Sequence, residues 1–235
     1  MFNFLHACAA DKYASDTYTT RNGSSVKFMF FGHASIALET NGKYIYVDPV
    51  SMYANYSTLP KADVILITHS HTDHLDAKAI DNLSKETTSI ICDSLSYDKI
   101  HKGHAVKPGD NLTLLDEIPT EVISAYNLTP GHLQFHPKEN KNCGFILTIG
   151  DSRIYIAGDS ENTTEMKSLK DIDVAFLPVN QPYTMTVDEA VDAIKSIRPK
   201  IFYPYHYGGT DVKTDMNRLS KEAGAYTEVR IRPLE

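Results

Sequence analysis

The chain has 235 residues, of which 42% are hydrophobic, so it is long enough and apolar enough to bury the core of one large α/β domain. Its formal net charge of −7 at pH 7 and its lack of a basic cluster argue against a surface that binds the nucleic-acid backbone. No run approaches the roughly 18 to 20 consecutive apolar residues of a membrane-spanning helix, which argues against a transmembrane segment.

Residues 1–24 are predicted to form a lead-in, followed by a single domain at residues 25–235. The first ten residues, MFNFLHACAA, end in small residues but lack the basic start and the apolar core of about 7 to 15 residues that a signal peptide needs. A trimmed signal segment is the alternative for this stretch. The predicted location is therefore cytoplasmic, or periplasmic or exported if the alternative holds.

The first half of the predicted domain is rich in short strands. Asn41 and Gly42 between two apolar runs are a strong hairpin signal, and Asp76 is suited to cap a helix over residues 75–83. In chain order, strands are predicted at residues 26–31, 35–40, 43–48, 63–68, 89–92 and 111–115.

The second half mixes strands with two helical patterns. Strands are predicted at residues 121–126, 143–149, 153–157, 174–178 and 200–205, and helices at residues 187–197 and 212–219. Strands with covering helices in both halves favour an α/β fold that is a four-layer αββα sandwich, in which helices flank two mixed β-sheets packed face to face. A functional site is expected along one edge of the sandwich.

Residues 68–76 read THSHTDHLD and carry the strongest functional signal in the chain. Three histidines and one aspartate fall between His69 and His74, directly after an apolar run that is typical of a buried strand. Imidazole and carboxylate are natural ligands of zinc and similar divalent ions, and an ion with an open position makes its bound water a nucleophile near neutral pH. The segment predicts metal-assisted hydrolysis, with adventitious metal binding by a His-rich tract as the alternative.

This pattern resembles the His-x-His-x-Asp-His signature of the metallo-β-lactamase fold hydrolases. Three further segments resemble family motifs in the expected order: IYVDP at residues 45–49, IYIAGD at residues 154–159 and IFYPYHY at residues 201–207. The GHAS start at residues 32–35 and the segment at residues 177–185 are most similar to the branch that contains ascorbate-6-phosphate lactonase-like and uncharacterised metal-dependent hydrolases.

The resemblance implies a centre that holds two divalent ions. Zinc is the expected metal, and manganese, nickel and iron are the alternatives. The predicted metal ligands are His69, His71, Asp73, His74, His136, Asp159 and His206. Of these, Asp73, His74 and Asp159 are implied to be catalytic, because the second ion and the bridge between the ions depend on them.

Each ion has its own implied ligands. His69 and His71 are implied to bind the first ion. Asp73, His74 and His206 are implied to bind the second. The strand that ends at Asp159 resembles the one that delivers the bridging carboxylate of the family.

One position departs from the family pattern. A third histidine of the first site normally follows a strand equivalent to residues 121–126, where this chain has Asn127. An amide oxygen suits harder ions than zinc, so either His132 or His136 supplies the donor, or the first site is weak and its metal is not zinc. We prefer His136 because Pro137 stiffens its backbone; the alternative is that both are ordinary surface-loop histidines.

Several polar residues near predicted strand ends are candidates for contacting the substrate or for orienting the ligands. They are His33, Asp48, Asn127, Asn180, Gln181 and Tyr183. For Gln181 an ordinary loop hydrogen bond is the preferred interpretation. Asp48 is predicted to support the site rather than to bind an ion.

Three functions from different classes follow. The preferred one is a hydrolase that attacks a small anionic ester or lactone with a metal-bound hydroxide, because bound cations attract anions and no Gly-x-Ser-x-Gly motif offers a covalent route. The second is a phosphodiesterase acting on a lipid head group, and the third is a non-catalytic metal-binding or redox protein. A small molecule is the predicted partner, nucleic acid is not, and the oligomeric state stays open.

Overall fold

The structure is a computed structural model that describes residues 12–235, and these residues form two seven-stranded sheets. The first sheet contains, from one edge to the other, β1 (Ala14–Thr19), β2 (Ser25–Gly32), β3 (Ser35–Thr40), β4 (Lys43–Val47), β5 (Val64–Ile67), β6 (Ser89–Asp93) and β7 (His104–Val106). The second contains β8 (Asn111–Leu114), β9 (Ile118–Ser124), β10 (Cys143–Ile149), β11 (Ser152–Ile156), β12 (Ile172–Pro178), β13 (Ile201–Tyr205) and β14 (Glu228–Val229).

Five α-helices lie in the described part of the chain. They are α1 (Ala77–Leu83), α2 (Ser94–Ile100), α3 (Thr164–Ser168), α4 (Val187–Ile197) and α5 (Met216–Ala223). Helix α1 begins at Asp76, whose carboxylate accepts hydrogen bonds from the amides of Lys78 and Ala79 at 2.8 and 3.1 Å. This is the cap that the sequence predicted, and it turns the chain away from the end of β5.

Both sheets are mixed, and their parallel strands determine where the site lies. Neighbouring strands are antiparallel from β1 to β4 and from β8 to β11, and parallel from β4 to β7 and from β11 to β14. Parallel strands present their carboxyl ends at one edge of a sheet, where ligands of open α/β sheets usually bind. Five such strand ends carry the candidate site.

Three apolar clusters correspond to the interfaces of a four-layer sandwich. Between the sheets, Phe176 of β12 packs against Phe28 of β2 and Tyr203 of β13, with ring centroids 5.4 and 4.9 Å apart. The outer face of the first sheet is covered by α1, and that of the second by α4 and α5. All four side chains of β5 are buried, because Val64 and Leu66 face the other sheet while its other two residues belong to the outer cluster. The predicted αββα sandwich is confirmed.

The structure corrects the predicted lead-in at residues 1–24. Strand β1 pairs with β2 in antiparallel register, Ala14 opposite Phe30, so the first sheet begins before residue 25. Only Tyr18 of this edge strand is buried, so its sequence lacks the apolar pattern on which the prediction depended. The proposed trimmed signal segment at residues 1–10 lies outside the described residues.

Other elements were missed or displaced. Strand β7 and helices α2 and α3 were not predicted, since each is short and carries few buried apolar residues. The helix predicted at residues 212–219 begins later, because the side chain of Asp215 accepts a hydrogen bond from the amide of Arg218 and caps α5 there.

Asp63, just before β5, is expected to contribute to stability through its charge. Burial opposes its ionisation, but hydrogen bonds from Lys85 (2.8 Å), the Tyr44 amide (2.9 Å) and Lys43 (3.3 Å) outweigh burial and hold its pKa below the ordinary value. Asp63→Asn should therefore lower the free energy of unfolding near neutral pH by about 1 to 3 kcal/mol. The difference should shrink as the pH falls through the lowered pKa, where the wild-type carboxylate becomes protonated.

Urea unfolding over a range of pH tests this expectation. Asp81→Asn is the matched control, because the pair of Asp81 with Lys102 is largely exposed and should be worth at most about 1 kcal/mol. Equal losses in the two variants, or a difference that grows in acid, would contradict the role assigned to Asp63.

Candidate metal centre

The candidate ligands follow the carboxyl ends of parallel strands from both sheets. Asp48 follows β4, the residues from His69 to His74 follow β5, Asp159 follows β11, Asn180 follows β12 and His206 follows β13. A backbone hydrogen bond from the Cys143 amide to the Thr68 carbonyl (2.9 Å) joins the two sheets at this edge. The candidate ligands from the two halves of the chain therefore project from the same edge of the sandwich.

Gly158 allows Asp159 to approach the first sheet. Its φ of +66° lies in the left-handed region, and a Cβ there would come within 2.8 Å of the Cys143 carbonyl oxygen and 3.1 Å of Thr68 Cβ. Only glycine fits both the backbone conformation and the close approach. The Gly-Asp pair thus delivers the carboxylate across the junction of the sheets.

The first ligand group consists of His69, His71 and His136, whose ligand atoms lie within 4.8 Å of one another. His69 Nε2 lies 3.1 Å from His71 Nδ1, while its Nδ1 is 3.0 Å from Thr68 Oγ1. His136 Nδ1 lies 3.1 Å from the Tyr183 carbonyl oxygen, to which it can donate. Each of His69 and His136 thus has its Nδ1 held by a neighbour, while its Nε2 faces other candidate ligands, where an ion would bind.

The second group consists of Asp73, His74 and His206, joined by His33. Asp73 Oδ2 lies 3.6 Å from His206 Nε2, 3.9 Å from His74 Nε2 and 3.2 Å from His33 Nε2. The ring centroid of His33 is 3.7 Å from that of His206. His33 therefore contacts two candidate ligands of this group at once.

Asp159 lies between the two groups. Its Oδ2 is 3.3 Å from His136 Nε2 and 3.1 Å from His206 Nε2, and its Oδ1 is 3.4 Å from His74 Nε2. His69 Nε2 is 3.9 Å away. Its Oδ2 therefore lies near both groups and its Oδ1 near the second, a position that suits a carboxylate shared between two ions.

The residues present fit two divalent ions. Several buried ring nitrogens and one carboxylate oxygen have no hydrogen-bond partner among the described residues, although buried polar atoms are normally paired. These atoms are His74 Nε2, His136 Nε2, His206 Nε2 and Asp159 Oδ1. Ligands bound at about 2.0 to 2.1 Å to one tetrahedral zinc ion lie about 3.3 Å apart, close to the spacing between the nitrogens of His69 and His71.

The electrostatics of the centre also suit cations. Burial lowers the pKa of His69 and His71, which favours the neutral form that binds metals. Burial alone would lower the pKa of His74 and His206, but the charge of Asp159 raises both, that of His206 to about 9. Burial would raise the pKa of Asp159, but these two imidazoles hold it well below its usual value. A cation that binds the second group would therefore compete with protons for His74 and His206.

Asp48 supports the centre rather than joining a ligand group. Its fully buried carboxylate accepts hydrogen bonds from the Thr68 amide (2.8 Å) and hydroxyl (2.6 Å), and it contacts His74 Nδ1 at 2.8 Å. This contact orients the imidazole of His74 so that Nε2 points into the centre. This role was expected for Asp48 from the sequence, but Thr68, which contacts His69 as well, was not singled out.

Three residues of the site hold unusual backbone conformations. His33, Asp48 and His206 have φ angles of 54°, 44° and 50°, in the left-handed region that non-glycine residues seldom adopt. Such conformations persist where the surrounding structure enforces them, and they cluster at functional sites. Each of the three follows a strand or, for His33, separates β2 from β3.

The loop at residues 127–136 brings His136, not His132, to the first group. The His132 Nδ1 atom lies 3.4 Å from Glu161 Oε1 instead. Asn127 closes the loop, since its amide donates to the His136 carbonyl (2.9 Å) and its side-chain nitrogen to the carbonyls of His132 (3.2 Å) and Tyr183 (2.7 Å). The position opposite His69 and His71 is therefore occupied by the imidazole that we preferred from the sequence.

Glu161 anchors the same loop and was not singled out from the sequence. Its fully buried carboxyl group accepts hydrogen bonds from the amides of Leu128 (2.6 Å) and Thr129 (2.7 Å). The only sequence signal is its position two residues after Asp159. Because Glu161 follows Asp159 by two residues, the loop that carries His136 is tied to the segment that carries Asp159.

Glu161→Ala is expected to weaken ion binding without removing a ligand. The loop would lose two hydrogen bonds to backbone amides, so His136 would be less well positioned, and ion affinity should fall about tenfold to a hundredfold. Competition titration with a coloured chelator measures the affinity. Glu161→Gln is the matched control, because its amide oxygen can still accept both bonds; an alanine variant with wild-type affinity would contradict the anchoring role.

The remaining predicted residues lie around the second group and the loop. Asn180 Nδ2 contacts His206 Nδ1 and the Gly208 carbonyl oxygen, both at 3.1 Å. Tyr183 contributes its carbonyl oxygen to His136 and its side chain to the mouth of a cavity. The Gln181 side chain donates to the Thr184 carbonyl within its own loop, which is the ordinary hydrogen bond preferred from the sequence.

A cavity of about 500 Å³ opens over the centre. Ligands of both groups line it, among them His71, Asp73, His136, Asp159 and His206. Its volume lies within the range of about 300 to 1,000 Å³ that is typical of small-molecule sites.

The family of the chain follows from comparison with known proteins. Residues 27–206 match the family model described as the beta-lactamase superfamily domain. The chain belongs to the beta-lactamase superfamily. Within the superfamily, it is 32% identical over 230 residues to a UPF0173 metal-dependent hydrolase from Symbiobacterium thermophilum, a match that covers 89% of this chain and 98% of the relative.

Solved structures agree with this fold. A protein from Parabacteroides distasonis, described as a proposed metal-dependent hydrolase, is 47% identical and superposes with a TM-score of 0.90 over 95% of this chain and 100% of its own. The metallo-hydrolase Igni18 from Ignicoccus hospitalis shares the fold, with a TM-score of 0.72 at 23% identity over 89% of this chain and 96% of its own. The resemblance found in the sequence is confirmed. In the described part of the chain, no helix has the length and apolar character needed to cross a membrane.

Proposed function

We propose that this member of the beta-lactamase superfamily is a hydrolase that holds two divalent ions and cleaves a small ester or lactone. The observation that supports the proposal most directly is the position of Asp159 between two groups of ligands that open into one cavity. Two relatives are named metal-dependent hydrolases, which supports the hydrolase part of the proposal. Zinc is the preferred metal, since three imidazoles are a common zinc-binding set.

The ligands of the chain divide the work between the two ions. His69, His71 and His136 would hold the first, Asp73, His74 and His206 would hold the second, and Asp159 would contribute to both. Bound divalent ions activate water near neutral pH and polarise the carbonyl group that the water attacks. No serine or cysteine is among the described residues that line the cavity, which favours attack by water over a covalent intermediate on a side chain.

The charges of the residues that line the cavity limit the class of substrate that fits. An anionic substrate was expected from the sequence because bound cations attract anions. Among the described residues that line the cavity, however, there is no lysine or arginine to neutralise a separate anionic group. We therefore propose that the substrate is an ester or lactone that needs no phosphate group. The same set of lining residues gives no support to a phosphodiesterase that acts on a lipid head group.

Metal removal and reloading test the proposed function. The purified protein would be stripped with a chelator, reloaded in parallel with zinc, manganese, nickel or iron, and assayed against esters, lactones, thioesters and phosphodiesters. Turnover of an ester or lactone should appear only after reloading and should rise with ion content up to two ions per chain. Activity that persists without metal, or turnover confined to phosphodiesters, would contradict the proposal.

A further inference from the structure

The walls of the cavity beside the candidate ligands are apolar and largely aromatic. They are formed by Met52, Tyr53, Phe135 and Tyr183. The rings of Phe135 and Tyr183 meet edge to face with centroids 4.8 Å apart, and Tyr53 stacks on the ring of His33 at 5.5 Å. These side chains surround the centre with surface that suits a planar apolar group.

Two of the walls are fixed relative to the first ligand group. Phe135 directly precedes the candidate ligand His136 in the chain. The Tyr183 carbonyl oxygen lies 3.1 Å from His136 Nδ1 and accepts a hydrogen bond of 2.7 Å from the side chain of Asn127. The contacts that position His136 therefore also position the rings of Phe135 and Tyr183 relative to the first ligand group.

The mouth of the cavity exposes apolar surface that the rest of the fold does not cover. Met52 is 83% exposed, more than any other large apolar residue in the described chain, and Tyr183 is 38% exposed. Exposed apolar surface that borders a cleft commonly marks a binding site, and methionine adapts its shape to an apolar ligand. A substrate with an apolar group would cover both side chains.

The charges in the cavity do not suit a second anionic group on the substrate. The acidic side chains that line it are Asp73 and Asp159 in the centre and Glu235. Its other polar side chains include Asn180 and Thr210, which are hydrogen-bonded to each other at 3.2 Å. An anionic group held among these residues would lose water without gaining a cationic partner, which is costly.

Lysines do occur in a neighbouring cavity. Lys12 and Lys78 line that cavity, which shares only Met52 and Tyr53 with the one over the centre. An anionic group would have to extend past these two side chains to reach them. A compact phosphorylated or sulfonated substrate would therefore remain among apolar and acidic residues.

We infer that the substrate is an uncharged ester or lactone with an aromatic or similarly planar apolar group beside the scissile carbonyl, an inference that rests on the proposed function. The carbonyl lies at the ions and the apolar group packs against Phe135, Tyr183 and Met52. Water adds to the carbonyl carbon, the bond to the alkoxy oxygen breaks, and that oxygen takes up a proton. The products are a carboxylic acid and an alcohol, joined in one hydroxy acid if the substrate is a lactone.

Three hydroxamates with the same metal-binding head test the inference by binding alone. Acetohydroxamate, phenylacetohydroxamate and para-sulfophenylacetohydroxamate would be titrated into the metal-loaded protein by calorimetry. Burial of the phenyl ring should make phenylacetohydroxamate bind at least about tenfold more tightly than acetohydroxamate. The sulfonate should remove that advantage. The corresponding methyl esters, assayed as substrates, should rank in the same order by kcat/KM.

Variants of the wall separate packing from metal binding. Tyr183→Ala should reduce the preference for phenylacetohydroxamate over acetohydroxamate to less than about threefold, whereas Tyr183→Phe should retain it. Tyr226→Ala is the matched control, because Tyr226 is equally exposed, at 38%, and does not line the cavity. A loss of preference in the control as large as in Tyr183→Ala would overturn the assignment of the wall.

The outcomes distinguish this inference from the proposed function. If the sulfonated probe and ester bind and react as well as the uncharged ones, or better, the inference is overturned while the hydrolase proposal stands. If the phenyl preference holds but no ester or lactone is cleaved, the proposed reaction fails and the apolar binding site is supported. If none of the three hydroxamates binds to the metal-loaded protein but an ester or lactone is cleaved, the inference is overturned while the hydrolase proposal stands. If neither binding nor turnover is found, both are overturned.

Discussion

Asp159→Asn is expected to lower kcat/KM by at least about a hundredfold to a thousandfold, the scale of losing one preorganised electrostatic group, and to reduce the ion content below two per chain. The carboxylate lies within 3.4 Å of His74, His136 and His206, so both ligand groups depend on it. Asparagine preserves the size of the side chain but removes the negative charge that offsets two cations. Elemental analysis together with kinetics on a cleaved ester measures both effects.

A second buried aspartate provides the control for this result. Asp173 has an exposed side-chain fraction of 2% and pairs with Lys200 at 2.7 Å, outside the metal centre. Asp173→Asn should lower stability but leave two ions bound and catalysis at the bound ions intact. An Asp159→Asn variant that retains two ions and wild-type kcat/KM would show that the bridging carboxylate has been wrongly assigned.

His136→Ala is expected to remove about one of the two ions and to lower kcat/KM by at least about a hundredfold. The first group would lose one of its three imidazoles and keep His69 and His71, together with a carboxylate, Asp159, that the second group also needs. The loss should exceed the tenfold to hundredfold effect that is usual when only a supporting residue is removed. Ion content and the visible spectrum of the cobalt-substituted protein measure the change in coordination.

The matched control is a histidine from the same loop. His132 is partly exposed, with 27% of its side chain accessible, and pairs with Glu161 rather than with the first ligand group. His132→Ala should therefore keep both ions and most of the activity. The reverse order of effects would assign the donor to His132, and unchanged ion content in both variants would leave Asn127 as the remaining protein candidate.

The strands that were predicted well are those whose sequences report burial directly. Strand β5 is an unbroken apolar run because both of its faces are covered, and the helical period of α4 matches the face that it buries against the second sheet. Strand β1 escaped prediction because it lies at an edge, where the backbone pairs but most side chains meet solvent. Backbone pairing leaves no pattern in the sequence unless burial accompanies it.

The residues of the site also differ in how far the sequence alone indicates their roles. The ligands from His69 to His74 are close along the chain, so their chemical types alone indicate a metal site. Glu161 and Thr68 gain their roles from contacts with other segments, and neither belongs to a residue type that by itself marks such a role. Tyr183 was a candidate from the sequence for contacting the substrate, but nothing in the sequence paired it with Phe135, whose ring it meets edge to face in the fold.

By itself, the sequence indicated a sandwich of two sheets, because apolar runs and turn signals are local patterns, and four segments that resemble family motifs indicated the family and most of the candidate ligands. Only the tertiary structure decided that His136 rather than His132 faces His69, that Asp159 lies between the two groups, and that the cavity has apolar walls without a lysine or arginine among its described residues. These features depend on distances between loops from different strands. Such distances are set by how the two sheets pack, which no single segment of the chain encodes.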